Sequence, residues 1–269
     1  MQEKNRLIKV KFEKPNDEIQ LNQKKIVHIL FFTEKNILLS TGMNKHVELS
    51  KFLNTFLIDN SSNIIIVRSE KGTFLLVKRK SENTDLKDSY LENLGGRIYN
   101  SIKSIGCKEA IIYENDCVIN QRIALGILLS SYNFTNYKKT IQSKENNLNS
   151  IVFKCKNYEK NSSLFEEIRS IAQGVYLARD LVWQPPNILF PTSFADECIK
   201  LRKLGVKVTV YDEAQLKKMG MEALLAVGRG SRKDSRVVVM EWLGGKKDSS
   251  PLAFIGKGVC FDSGGLSLK

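Results

Sequence analysis

Along the first 155 residues, short apolar runs of strand length alternate with longer stretches whose apolar residues recur at helical spacing. That alternation favours an α/β layer. KIVHILFF (25–32), NIIIVRS (63–69) and GTFLLVK (72–78) are rich in β-branched and aromatic residues and predict strands. In DLKDSYLENLGGRIYNSIKSIG, which follows, Leu86, Tyr90, Leu94, Ile98, Ile102 and Ile105 repeat one helical face. Gly95-Gly96 interrupts that stripe, either as a close-packing spot or as a break in the helix. EAIIYEN (109–115) and SIVFKC (150–155) predict two further strands, with a helix near Val118–Ser130 between them. Strands separated by helices favour a largely parallel sheet.

Residues 136–149 and 156–163 are polar and weak in pattern, which places the boundary of a first domain near residue 155. A connecting segment and helix span 156–182. Within it Leu164, Ile168, Ile171, Val175, Ala178 and Val182 form one apolar face. Ser162 or Ser163 is the expected N-cap, and Glu166 and Glu167 in the first turn complement the helix dipole. Gln184-Pro185-Pro186-Asn187 ends that helix, because proline cannot continue the hydrogen-bond ladder. Thr192 or Ser193 opens another, closed by Gly205. VKVTVYD (206–212) alternates as a strand and EAQLKKMG reads as a short helix. ALLAVGRGS, RVVVMEWLG and PLAFIGKGV read as three more strands. The expected architecture is therefore α/β in two domains, 1–155 and 183–269, each a mixed or mainly parallel sheet flanked by helices, the second incomplete.

Several function classes fall away on residue counts. The chain has two histidines, His28 and His46, and neither lies in an HExxH-like arrangement, so a two-histidine zinc protease is excluded. Five cysteines (Cys107, Cys117, Cys155, Cys198, Cys260) are odd in number and widely spaced. They fit small buried hydrophobes rather than a disulfide framework or a zinc knuckle. No apolar run is long enough to cross a bilayer, and the charged start MQEKNRLIKVKFEK is unlike a secretion signal, so a cytoplasmic location is the expectation. The formal net charge of +13 is spread over lysines along the whole chain, which reads as solvated faces more readily than as a nucleic-acid surface.

The chemistry concentrates in Ile255-Gly256-Lys257-Gly258-Val259-Cys260-Phe261-Asp262-Ser263-Gly264-Gly265-Leu266-Ser267-Leu268-Lys269. An apolar run delivers a lysine between two glycines, and an aspartate follows five residues later, just before Ser-Gly-Gly. Two lysines and one aspartate crowd into a glycine-rich, otherwise apolar stretch, where unpaired buried charge is costly. Taken singly, Lys257 reads as a turn lysine, Asp262 as a turn cap and Lys269 as a terminal residue. Gly228-Arg229-Gly230-Ser231 lacks the Lys-Ser/Thr ending of a phosphate loop and reads as a turn.

Taken together with ARDLVWQPPNILFPTSFA (178–195), GVKVTVYDEAQLKKMGMEALLAVGRGS (205–231) and RVVVMEW, the GKGVCFDSGGLSLK segment resembles the cytosol (leucyl) aminopeptidases, a family of dinuclear metallopeptidases. The resemblance covers roughly residues 165–269; residues 1–160 stand where that family carries a variable N-terminal domain. It implies that Lys257 ligates one metal ion through its neutral amine, that Asp262 bridges two metal ions, and that Lys269 stays protonated and stabilises the oxyanion. It further implies two divalent ions (manganese, zinc or magnesium), peptide substrates with a leucine-type preference and a homohexameric assembly. Trp183 departs from the small or polar residue usual before the Pro-Pro-Asn turn.

The same resemblance places further carboxylate ligands and a catalytic arginine beyond the position matched by Lys269. The expectation is thus a truncated chain, as a record or as a disrupted gene, that is inactive alone. The alternatives are a non-catalytic DNA-binding module, which some members of that family exemplify, and a partly folded remnant with an exposed sheet edge.

Overall fold

The computed structural model describes residues 7–15, 25–32, 37–38, 63–69, 72–79, 87–137, 148–246 and 249–260. The chain divides into two compact units, Met1–Arg179 and Asp180–Lys269.

In the first unit, β1 (Lys9–Glu13), β2 (Ile26–Phe32), β3 (Ile37–Leu38), β4 (Ile64–Ser69), β5 (Gly72–Lys78), β6 (Glu109–Tyr113) and β7 (Ser150–Lys154) form one sheet. Its order is β1-β7-β6-β2-β5-β4, with β3 beside β2. The pairs β1/β7, β7/β6, β6/β2 and β2/β5 are parallel, while β4/β5 and β2/β3 are antiparallel. The predicted strands at 25–32, 63–69, 72–78, 109–115 and 150–155 all form. β1 lies in the charged stretch KVKFE, whose short alternation was not read as a strand. It is held by its ladder to β7 and by Phe12, which stacks on Phe153 at 5.1 Å.

Among the described residues three helices belong to this unit: α1 (Asp88–Ile105), α2 (Cys117–Ser131) and α3 (Tyr158–Val182), whose last three residues fall past the division between the units. The core joins Val27, Ile29, Phe31, Leu75 and Val77 of the sheet to Leu91, Leu94 and Ile98 of α1 and to Ile123, Ala124 and Ile127 of α2. Because the side chains of a strand alternate, His28, Leu30, Leu76 and Tyr113 fall on the opposite face, and these too are buried. Strands buried on both faces account for the near-continuous apolar runs.

The helix at Gly95-Gly96 is unbroken, and the glycines are there for contact. A Cβ on Gly95 would strike the carbonyl of Ile123, and one on Gly126 would strike the backbone of Glu92. Arg122 then links the helices at the surface through Asp88 (2.6 Å) and Glu92 (3.2 Å).

α3 begins at Tyr158, inside the stretch read as polar linker. Ser162 is therefore no cap: its hydroxyl donates back to the Tyr158 carbonyl, four residues earlier, at 2.9 Å. The buried face is also rotated from the expected one. Asn161, Phe165, Ile168, Ala172 and Tyr176 face inward, whereas Leu164, Ile171 and Val182 are exposed. The apolar stripe was real, but Phe165 and Tyr176 bury more surface and reach partners, Phe12 at 5.6 Å and the carbonyl of Leu128 at 2.5 Å.

The second unit holds α4 (Pro191–Ile199), which runs on as a 3-10 turn over Lys200–Leu204, then β8 (Lys207–Tyr211), α5 (Glu213–Lys218), α6 (Glu222–Gly228) and β9 (Val237–Glu241). Ser193 Oγ accepts the Phe190 N–H at 3.0 Å and so fixes the start of α4. Gly205 closes the 3-10 turn at φ +85, where a Cβ would also meet the Trp242 ring at 3.1 Å. Asp212 and Gln215 cap α5 reciprocally, at 2.8 and 3.0 Å. β8 and β9 pair antiparallel, with Lys207 opposite Glu241 at 2.7 Å.

Two strand expectations fail here. EALLAVG is helix α6, since Glu, Ala and Leu are strong helix formers and the run holds a single β-branched residue. PLAFIGKGV is irregular. A strand needs a neighbour to accept its hydrogen bonds, and among the described residues β9 is partnered by β8 alone. Among the described residues no helix is long and apolar enough to cross a membrane.

Candidate metal centre and its surroundings

Of the three residues singled out for catalysis, Lys257 is described, and Asp262 and Lys269 lie outside the described residues. Lys257 is exposed, between two exposed glycines. Its carbonyl accepts the Val259 N–H at 3.0 Å, a tight three-residue turn centred on Gly258. Glycine at 258 lets that turn lie against α4, because a Cβ there would come within 3.1 Å of the Phe194 ring. Cys260 closes the described segment, its thiol directed at the Gly258 carbonyl at 3.8 Å. Burial pushes that thiol above its ordinary pKa, so it is a poor thiolate ligand as it stands.

Around this turn the chain is apolar and uncovered. Leu252, Phe254 and Ile255 are 87%, 93% and 99% exposed, the signature of a segment shaped to be buried by other residues. Among the described residues no group of three or more His, Cys, Asp or Glu side chains could hold a metal ion. The described donors therefore do not by themselves fit a metal centre. Lys257 alone of the proposed ligands is present among them, with its amine open to solvent. The Gly228–Ser231 segment is a turn, with the Ser231 N–H bonded to the Gly228 carbonyl at 2.9 Å.

One polar cluster escaped the sequence reading. At the carboxyl ends of β5 and β6, Arg79 and Glu114 form a buried ion pair, and Asn120 and Gln121 of α2 and Asn161 of α3 are buried as well. Asn120 Nδ2 donates to the Glu114 carbonyl at 3.0 Å, and Gln121 Nε2 donates to Asn161 at 3.0 and 3.1 Å. The available signal was position: each charged residue directly follows an apolar strand, where a parallel sheet gathers its polar groups.

Against known proteins, residues 176–269 match the family model described as cytosol aminopeptidase family, catalytic domain. A probable cytosol aminopeptidase of Nitrobacter winogradskyi is 38% identical over 206 residues, 74% of this chain and 41% of that protein. Over residues 176–269 the chain is thus similar to the cytosol aminopeptidase family. A mutant tomato leucine aminopeptidase shares the fold at TM-score 0.73 and 22% identity, over 95% of this chain and 55% of that one. The bottromycin maturation enzyme in complex with Mn does so at TM-score 0.59 and 19% identity, over 81% and 45%. The chain thus spans about two fifths of the length of the curated cytosol aminopeptidase it matches.

Proposed function

We propose that this chain supplies the N-terminal domain and the opening of the catalytic domain of a metal-dependent aminopeptidase that releases N-terminal residues, leucine among them, from peptides. The match of residues 176–269 to the family's catalytic domain carries this reading. Lys257 is the proposed ligand to one metal ion, Asp262 the bridging carboxylate and Lys269 the cation that faces the developing oxyanion. When bound, the paired ions, manganese or zinc in preference to magnesium, would supply Lewis-acid polarisation of the scissile carbonyl and an activated water. A lysine serves as ligand only after losing its proton, which the field of a nearby dication would favour, and Lys257 is exposed. Two ligand side chains cannot fill two coordination spheres, so the 269 residues alone are expected to be inactive. Cytoplasmic location and hexameric assembly belong to the same reading.

The test is a chimera: residues 1–269 joined in frame to the remaining catalytic domain of the Nitrobacter winogradskyi relative, assayed on a leucyl amide with Mn or Zn. Activity in the chimera, its absence from the 269-residue chain and its loss on Asp262→Asn are expected. A folded, metal-loaded chimera without hydrolysis overturns the proposal.

A second reading, DNA binding, is favoured by exposed Lys217, Lys218, Arg229 and Arg232 in the second unit together with the net charge of +13. Salt-sensitive retention of duplex DNA supports it, and no retention at low ionic strength ends it.

A further inference from the structure

Among the described residues β1 is an edge of the first unit's sheet. Its backbone alternation is fixed by the ladder to β7: the Lys9 N–H bonds the Asn149 carbonyl at 3.1 Å, and the Glu13 carbonyl accepts from the Cys155 N–H at 3.1 Å. Lys9, Lys11 and Glu13 therefore turn their backbone groups toward β7. Val10 and Phe12 turn theirs away from it, with no strand to receive them among the described residues. A cavity of about 340 Å³ is lined by Val10, Lys11, Phe12 and Glu13 of β1 and by Ser162, Phe165 and Glu166 of α3. The outward amides can receive one extended strand.

The side chains say which strand. In antiparallel pairing of KVKFE with itself about Lys11, Val10 stands opposite Phe12 of the second copy, and these are the residues whose amides point outward. Two such pairs make four main-chain hydrogen bonds. Lys9 then stands opposite Glu13 of the second copy, twice over, at the non-hydrogen-bonded positions where side chains lie closest. Glu13 already meets Lys154 at 2.8 Å, so each contact extends a ladder of alternating charge from β7 through β1 to the second copy. Lysines on an edge usually repel a neighbouring strand. Here the one like-charged pair is Lys11 on the two-fold axis, against two opposite-charged pairs. We propose that β1 is the contact of a two-fold dimer, in which two copies of this chain join their sheets edge to edge through Lys9–Glu13.

Disulfide trapping in the full 269-residue chain tests this. Residues opposite each other at a non-hydrogen-bonded position have Cα atoms about 4.5 Å apart, within reach of a disulfide. Lys11→Cys is expected to give, on mild oxidation, a dimer linked through the two substituted positions, identified by peptide mass mapping. Lys9→Cys is the control, since its two copies are four residues out of register and give no such link. In sedimentation, Lys9→Glu and Glu13→Lys are each expected to weaken dimerisation about tenfold, and mixing the two variants to restore it as a heterodimer. Val10→Pro, which deletes an outward N–H and leaves the β7 ladder intact, is expected to abolish it. A link from Lys9→Cys as abundant as from Lys11→Cys overturns the proposal. So does a Lys11→Cys chain that stays unlinked, which leaves the edge to a different protein strand.

Discussion

Arg79 and Glu114 meet at 2.8 Å with their side chains only 1% and 7% exposed, one just past the end of β5 and the other just past the end of β6. The carboxylate is well supplied: its second oxygen accepts the N–H groups of Asn115 (2.8 Å) and Asp116 (3.1 Å). Burial nevertheless pushes the Glu114 carboxyl above its usual pKa, and outweighs the opposing pull of Arg79 and the two amides. Desolvation therefore dominates the environment of this pair, as the physics of buried ions leads one to expect. The pair costs much to break while adding little to stability by itself.

Arg79→Met is accordingly expected to destabilise the first unit by about 3–5 kcal/mol, because it strands a buried carboxylate. The double variant Arg79→Met/Glu114→Leu is expected to lose less than Arg79→Met alone. Urea denaturation followed by circular dichroism measures both. A double variant as unstable as the sum of the two single changes contradicts the account.

The α1–α2 crossing yields a sharper contrast between glycines. Gly126→Ala drives a methyl into the backbone of Glu92, and Gly95→Ala drives one into the Ile123 carbonyl. Backbone cannot move aside as a flexible side chain can, so each change is expected to cost about 3 kcal/mol or more. Gly174 on α3 has nothing within 4 Å of an added Cβ. Gly174→Ala is expected to stabilise by roughly 0.5–1 kcal/mol through helix propensity alone. Thermal melts of the three variants rank them, and a Gly126→Ala chain as stable as the parent means the helices sit further apart than described.

Much of the first unit was legible because its strands are apolar on both faces and its helices carry clear stripes. What escaped was decided by partners distant in sequence. β1 is five mostly polar residues whose strand state depends on β7, about 140 positions later. The buried face of α3 was misread because Leu164 and Ile171 compete with Phe165 and Ala172 for the same sheet, and spacing alone cannot rank them. EALLAVG is short enough to satisfy strand or helix, and propensity settled it. For the candidate site the family was legible from Lys257 to Lys269, since glycines and charges there keep the order of the motif. The exposed Leu252, Phe254 and Ile255 show that the segment's apolar character serves burial by residues other than those described.

His28 makes stability depend on pH. It is 3% exposed on the sheet, 5.5 Å from the Phe74 ring, with Nδ1 3.0 Å from the Tyr113 hydroxyl. Burial lowers its pKa from 6.5 to about 4. Below pH 6.5 the unfolded chain takes up a proton that the folded chain refuses. The stability tied to His28 is thus complete above that pH and lost as pH falls toward about 4, a change of about 3 kcal/mol. His28→Leu is expected to flatten that part of the profile. Tyr113→Phe is expected to retain it, because desolvation and not the hydroxyl sets the shift. Urea midpoints between pH 7 and 4 decide between them.

Lys257 separates a ligand from a surface charge. An ammonium becomes a metal ligand by giving up its proton to solvent under the field of a nearby dication, whereas a guanidinium stays protonated in a protein. In the chimera described above, Lys257→Arg keeps the positive charge and most of the length, yet is expected to behave like Lys257→Met. Both are expected to lose bound metal and, by about 10–100-fold or more, metal affinity. The readouts are metal content by atomic emission and titration with Mn, taken alongside hydrolysis, so that a folding defect shows separately by circular dichroism. The exposed position of Lys257 and the open space around Gly256 make a folding defect unexpected for either change. Retention of metal in Lys257→Arg assigns the residue to the surface and moves the search for the first ligand to Asp262.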